Sequence, residues 1–196
     1  LEKSRLVGPS LNERNYHIFY CLLEGITKEE KHKLSLTDAS DYSYLSKGRC
    51  IYCEGRDDAS EFADIRSAMK VLMFSENEVW EILKLLSIIL HLGNVEFRSK
   101  IIENLDASDV SDTSRIDLPA RFLGVKNQQL IDSLTTKTIF AQGDIVISNL
   151  SSSFAADVRD ALVKGIYGRL FVWIVNKINS AIHVTERSDR TSIGVL

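Results

Sequence analysis

The sequence predicts a mainly α-helical fold, with a short β excursion at 136–147 and a terminal core strand at 192–196. Three observations carry this. Only two prolines, Pro9 and Pro119, interrupt 196 residues, so long helices are permitted almost everywhere. Ser/Thr-x-x-Glu boxes precede apolar runs of helical period, at Thr27–Glu30 and Ser75–Glu78. The run from Phe154 to about Ile182 is long enough for a single helix of roughly 40 Å at about 1.5 Å per residue.

Taken in order, residues 11–25 place Tyr16, Phe19, Tyr20 and Leu23 on one helical face that ends at Gly25. Thr27 opens a short polar helix to about Leu34. Asp57 or Asp58 caps a helix carrying Phe62, Ile65, Met69 and Leu72. Ser75 opens Val79–Leu92, which Gly93 ends in the left-handed conformation. Glu96–Asp117, rich in Asp, Ser and Asn without a clear period, reads as a surface loop with short ordered patches. Short helices follow at Leu118–Leu123 and Asn127–Leu134. The β-branched runs Thr136–Phe140 and Asp144–Ile147 flank Ala141-Gln142-Gly143 as a hairpin-like excursion. Ser151–Ser153 cap the long helix, whose apolar residues form more than one stripe between Ile166 and Val175, so it needs neighbours on several sides.

Composition excludes more than it assigns. Hydrophobic residues at 44% and charged residues at 26% are globular values, and a net charge of −3 supplies no basic field for nucleic acid. The longest mostly apolar stretch, Ile82–Leu92, contains Lys84 and is too short for membrane insertion. The start at Leu1 and the apolar run Ser192–Leu196 read as a piece excised from a larger protein.

Three cysteines fit reduced thiols. Cys50-Ile51-Tyr52-Cys53 has the spacing of half a zinc site but lacks a second pair, so no metal ligands are assigned. None of the ten glycines is followed by Lys-Ser or Lys-Thr, so a phosphate-cradling loop is missing and no cofactor-binding or catalytic residue is expected in this stretch. His17 and His91 read as packed helix residues, His91 suited as an imidazolium to a helix C-terminus, and Trp80 and Trp173 read as core.

Four strings in order resemble the motor (head) domain of myosins: Leu1-Glu2-Lys3-Ser4-Arg5, Glu13 to Tyr20 (Glu-Arg-Asn-Tyr-His-Ile-Phe-Tyr), Ile89 to Asn94 (Ile-Leu-His-Leu-Gly-Asn), and Arg159 to Phe171. Ile65–Lys70, Glu103–Ala107 and Gly165-Ile166-Tyr167-Gly168 are most similar to unconventional class VII. The resemblance implies a fragment of an α/β P-loop NTPase-type motor, mostly the upper 50-kDa region between switch I and switch II. It implies ATP and Mg2+ in the intact parent, whose actin-activated ATPase this piece alone would lack. It also implies the actin filament and the rest of the heavy chain as partners. Calmodulin-type light chains would enter only through an absent lever arm, and the location would be the cytoplasmic actin cytoskeleton.

Within this piece, the resemblance assigns residues 136–150 to the cardiomyopathy-type loop. Phe140, Gln142, Gly143, Asp144, Ile145 and Val146 would contact actin, and helix 154–182 would serve as a strut. Asp144 falls where myosins tend to carry Thr, Ser, Asp or Glu. A permanent carboxylate there implies actin affinity that needs no phosphorylation. Phe97–Asp109 would be a second, peripheral actin-proximal loop, and Arg14, Asn15, His91 and Asn94 read as structural. The competing expectation is an autonomous, non-enzymatic helical interaction domain. An exposed apolar patch along 166–175 would favour the motor segment, and a polar surface there would favour autonomy.

Overall fold

The computed structural model describes residues 2–141 and 144–182. A 3-10 helix at Lys3–Val7 leads to α1 (His17–Gly25), α2 (Lys28–Lys33), a 3-10 turn at Ala39–Asp41, α3 (Ser43–Ser46), α4 (Asp58–Val71) and α5 (Glu76–Gly93). Then come β1 (Phe97–Ile102), β2 (Leu105–Val110), α6 (Ser114–Leu123), α7 (Asn127–Thr135), β3 (Thr136–Ala141), β4 (Asp144–Asn149) and α8 (Ser152–Ile182). The chain is mainly helical, with two separate two-stranded antiparallel sheets, β1–β2 and β3–β4. The strand expected at 192–196 lies outside the described residues. No described helix is long and apolar enough to cross a membrane.

Local signals set most helix starts. The Thr27 hydroxyl accepts from Glu30 N–H at 3.2 Å while the Glu30 carboxylate accepts from Thr27 N–H. Ser75 and Glu78 do the same for α5, and Asp57 accepts from Ser60 N–H to cap α4. α1 begins six residues later than its periodicity suggests. The preceding Asn15 is buried in irregular chain and donates to both Leu6 C=O and Tyr44 C=O at 2.9 Å.

Gly93, expected to be left-handed, is not, and both it and Gly25 mark close approaches instead. A Cβ on Gly25 would lie 2.4 Å from Phe62 of α4, and one on Gly93 would lie 2.5 Å from the Tyr44 ring. Glycine here lets α1 meet α4, and α5 meet α3, at distances a side chain forbids.

The Glu96–Asp117 stretch is more ordered than a surface loop. β1 and β2 pair from Phe97↔Val110 to Ile102↔Leu105 around a tight turn whose residues, Glu103 (φ 51) and Asn104 (φ 64), are both left-handed. α6 then starts at Ser114, four residues before the expected helix.

α5 forms the centre. Its buried face, including Leu83, Leu86, Ile89 and Leu92, meets α3, α6 and α8. His91 is half-buried on that helix and donates from Nε2 to Leu34 C=O at 3.0 Å. Burial holds its pKa below 6.5, so the neutral ring, and not an imidazolium, is the favoured form. Asn94 joins Asp41 C=O and Ser43 N–H, a structural role as expected of that motif.

Candidate functional site

The β3–β4 hairpin is an extension of α7 and returns directly into α8. Its root is closed by buried groups: Leu150 N–H donates to Thr135 C=O at 2.8 Å, and the Ser108 hydroxyl of β2 donates to Leu150 C=O at 2.8 Å. Thr135, Ser108 and Leu150 are all buried. Ser151 accepts from Phe154 N–H at the start of α8, with Ser152 bonded to Ser99 of β1. A rigid base therefore carries an otherwise unsupported ribbon. Sequence reasoning missed this clamp, because none of its residues lies in the hairpin and only their meeting gives them a role.

Cross-strand partners share a face of the ribbon. Phe140 pairs with Ile145, and Ile139 with Val146, so successive pairs put apolar side chains on opposite faces. Both faces are open: Phe140 is 79% exposed and Ile145 66%, with Ile139, Val146 and Ile147 exposed as well. A two-stranded ribbon with apolar residues on both faces buries too little to be explained as core.

Of the residues singled out in the sequence, Phe140, Asp144, Ile145 and Val146 are brought together here. Gln142 and Gly143 lie outside the described residues. Asp144 is exposed at the tip, opposite Ala141, and among the described residues no hydrogen bond or ion pair engages its carboxylate.

α8 ties this hairpin to the body through discrete contacts. Tyr44 donates to Asp160 at 2.6 Å, and Arg159, also bonded to Asp160, donates to Val95 C=O at 2.6 Å. Further along, Tyr167 stacks on Tyr16 with ring centres 4.9 Å apart, and Lys177 pairs with Glu78 at 2.8 Å, which holds that carboxyl below its usual range. Trp173 is not core as expected. It is 42% exposed, meets Phe74 edge-on, and joins Ile82, Leu85, Ile166 and Leu170 around an apolar groove of about 450 Å³ between α5 and α8. Phe171, Val172 and Val175 are exposed alongside it.

Elsewhere, Cys21, Asp58 and Glu61 bring three ligand-type atoms within 4.8 Å. The carboxylates are already paired, Asp58 with Arg14 at 2.5 Å and Glu61 with Arg56, and burial pushes the Cys21 thiol up to about 11. This is a closed ion-pair cluster between α1 and α4. His17, read from sequence as packed, is exposed beside it, its pKa lowered by partial desolvation and then by Arg56 and Arg14.

The sequence is similar to those of several known proteins. Myosin-VIIa of Drosophila melanogaster is 54% identical over 196 residues, which is 100% of this chain and 9% of that protein. Unconventional myosin-VIIb of Mus musculus is 50% identical over 200 residues, covering 100% of this chain and 10% of that protein. Unconventional myosin-Ic of Gallus gallus is 40% identical over 187 residues, 95% of this chain and 18% of that protein. The chain thus spans about a tenth of its class VII relatives, which share more of its sequence than the class I relative does. The family model described as "Myosin head (motor domain)" matches residues 1–196, and the chain belongs to that family.

Proposed function

We propose that this chain is a segment of an actin-based, ATP-driven motor. In this reading it lies between switch I and switch II in the upper 50-kDa region of a P-loop NTPase-type head. The β3–β4 hairpin is its actin-filament contact, α8 is the strut that links that contact to the nucleotide-site sheet, and the parent works in the cytoplasmic actin cytoskeleton. The observation that carries this reading is the ribbon exposed and apolar on both faces, Phe140 and Ile145 foremost, on a buried, hydrogen-bonded root. A local apolar contact also suits a chain whose net charge of −3 gives no general attraction to an acidic filament.

The exposed apolar strip Phe171–Val175 supports the motor-segment reading over an autonomous interaction domain, because a domain that folds for itself covers such a strip. ATP and Mg2+ belong, on this reading, to other parts of the parent. At the starts of α2, α4 and α5 the amides of Glu30, Ser60 and Glu78 are taken by the side chains of Thr27, Asp57 and Ser75, as in ordinary capped helices. No catalytic step is assigned to these residues.

At Asp144 the permanent carboxylate supplies the negative charge that a phosphorylated Thr or Ser would supply, so actin affinity at this site is constitutive. The test uses the intact motor and measures actin cosedimentation and actin-activated ATPase. Phe140→Ser with Ile145→Ser should weaken actin binding about tenfold or more, roughly 1.4 kcal/mol, while ATPase without actin is unchanged. Asp144→Ala and Asp144→Thr should lower actin activation; unchanged activation in both removes Asp144 from the interface, and unchanged binding in the apolar pair removes the hairpin.

A further inference from the structure

We propose that Tyr52 is a phosphorylation site, modified by a tyrosine kinase that favours acidic surroundings, and that its phosphate is received by Arg56 of the same α3–α4 loop. The chain has six tyrosines. Tyr20, Tyr42 and Tyr44 are buried, and Tyr16 and Tyr167 are half-buried and stacked on each other. Tyr52 is 76% exposed, and among the described residues its hydroxyl makes no hydrogen bond. It sits within residues 49–57, which form neither helix nor strand. A kinase takes its target as an extended segment, and this loop has no ladder or helix to unwind first. The neighbouring residues suit that use: Ile51 directly before, Glu54 two residues after, and Asp57 and Asp58 beyond.

The second observation is the surface that faces the modified side chain. Arg56 N–H donates to Cys53 C=O at 3.3 Å and Gly55 is left-handed (φ 78), so the chain reverses between Cys53 and Arg56. Tyr52 and Arg56 flank that turn, and both line one pocket of about 380 Å³ together with Arg14 and Tyr20. Arg56 gives Nη2 to Glu61 and has no partner for Nε; with its side chain 31% exposed, the guanidinium is open to a further acceptor. Arg14, enclosed in the same wall, also lacks partners at Nε and Nη1. Of the lining carboxylates, Asp58 is held by Arg14 at 2.5 Å and Asp57 by Ser60 N–H, which leaves Glu24 unpaired among the described residues. A phosphate opposite an arginine with donors to spare forms charge-assisted hydrogen bonds and fixes the loop that carries it.

In the transfer, Tyr52 Oη attacks the γ-phosphorus of kinase-bound Mg-ATP and forms the new P–O bond. The bond from that phosphorus to the bridging oxygen of ADP breaks, and ADP leaves with the electron pair. The phenolic proton passes to a carboxylate base of the kinase.

The experiment incubates the complete motor chain with Mg-ATP and a purified Src-family kinase domain, then maps phosphate onto these six tyrosines by mass spectrometry. Tyr52 should gain about 80 Da and take about tenfold more label than any of the others. No label on Tyr52, or label spread evenly over the six, overturns the site. Capture by Arg56 is read separately by phosphorus NMR. In the folded motor the second pKa of the phosphate should lie below its value of about 6 in the urea-unfolded chain, because the guanidinium favours the dianion. Arg56→Gln should abolish that difference, and Arg56→Lys, which keeps the charge, should retain part of it. Equal values in the folded and unfolded chains, or a difference that survives Arg56→Gln, overturn the role of Arg56.

Discussion

The two long helices of this chain, α5 and α8, meet along one side and are built on opposite terms. α5 buries ten of its 18 residues, and α8 buries four of its 31. α5 concentrates Ile82, Leu86, Ile89 and similar residues on faces that α3, α6 and α8 cover. α8 spreads apolar residues around its axis, with Ala155, Val163 and Leu170 inward and Phe171, Val172, Trp173 and Val175 open. α5 is thus completed by the chain it belongs to. α8 carries more apolar surface than the described residues cover, which is the mark of an element shaped for further neighbours.

That comparison can be broken at its strongest point first. Ile89→Ala, at a position with no exposed surface, should cost about 2–5 kcal/mol in urea unfolding, whereas Val172→Ser on α8 should stay within about 0.5 kcal/mol. Similar costs at the two sites would show that α8 is as fully packed as α5. Gly165→Ala sharpens the point at smaller scale. Nothing lies within 4 Å of the added methyl, so thermal unfolding of this chain should show stabilisation by about 0.5–1 kcal/mol. If the same change destabilises the intact motor, a neighbour absent here packs closely on that face.

The smallest effect is a pH slope that belongs to α5. Burial holds the His91 pKa below 6.5, so as pH falls the unfolded chain takes up the proton first. Stability attributable to His91 is therefore full above about pH 6.5 and declines below it, towards the lower folded value. His91→Gln keeps a donor for Leu34 C=O and should flatten that part of the slope. An unchanged slope in denaturant midpoints between pH 5 and pH 7 would place its source elsewhere.

Local chemistry was legible where one side chain settles one backbone group. Thr27 with Glu30, Ser75 with Glu78, and Asp57 act as caps in the structure as their spacing suggests, because an N-cap is decided within four residues. The β3–β4 hairpin was readable from its two β-branched runs. The β1–β2 hairpin was not. Its turn uses two non-glycine residues, Glu103 and Asn104, and its strands mix Asp, Ser and Lys, so neither alternation nor a turn glycine announces it.

Gly93 was misread as left-handed for a related reason: Gly25 and Gly93 both end helices, but their need for a missing side chain arises from Phe62 and Tyr44, 37 and 49 residues away.

By itself the sequence determined the helical class, the capped starts of α2, α4 and α5, the hairpin at 136–147 and, through ordered motifs, the family. These rest on short-range periodicity, capping and the order of strings along the chain. Only the tertiary structure decided that Thr135, Ser108 and Leu150 clamp the hairpin root, that Tyr44 and Arg159 converge on Asp160, and that Trp173 faces outward. Each depends on residues distant in sequence arriving within a few ångströms, and whether a side chain is core, clamp or open surface is settled by which neighbours arrive, not by its own identity.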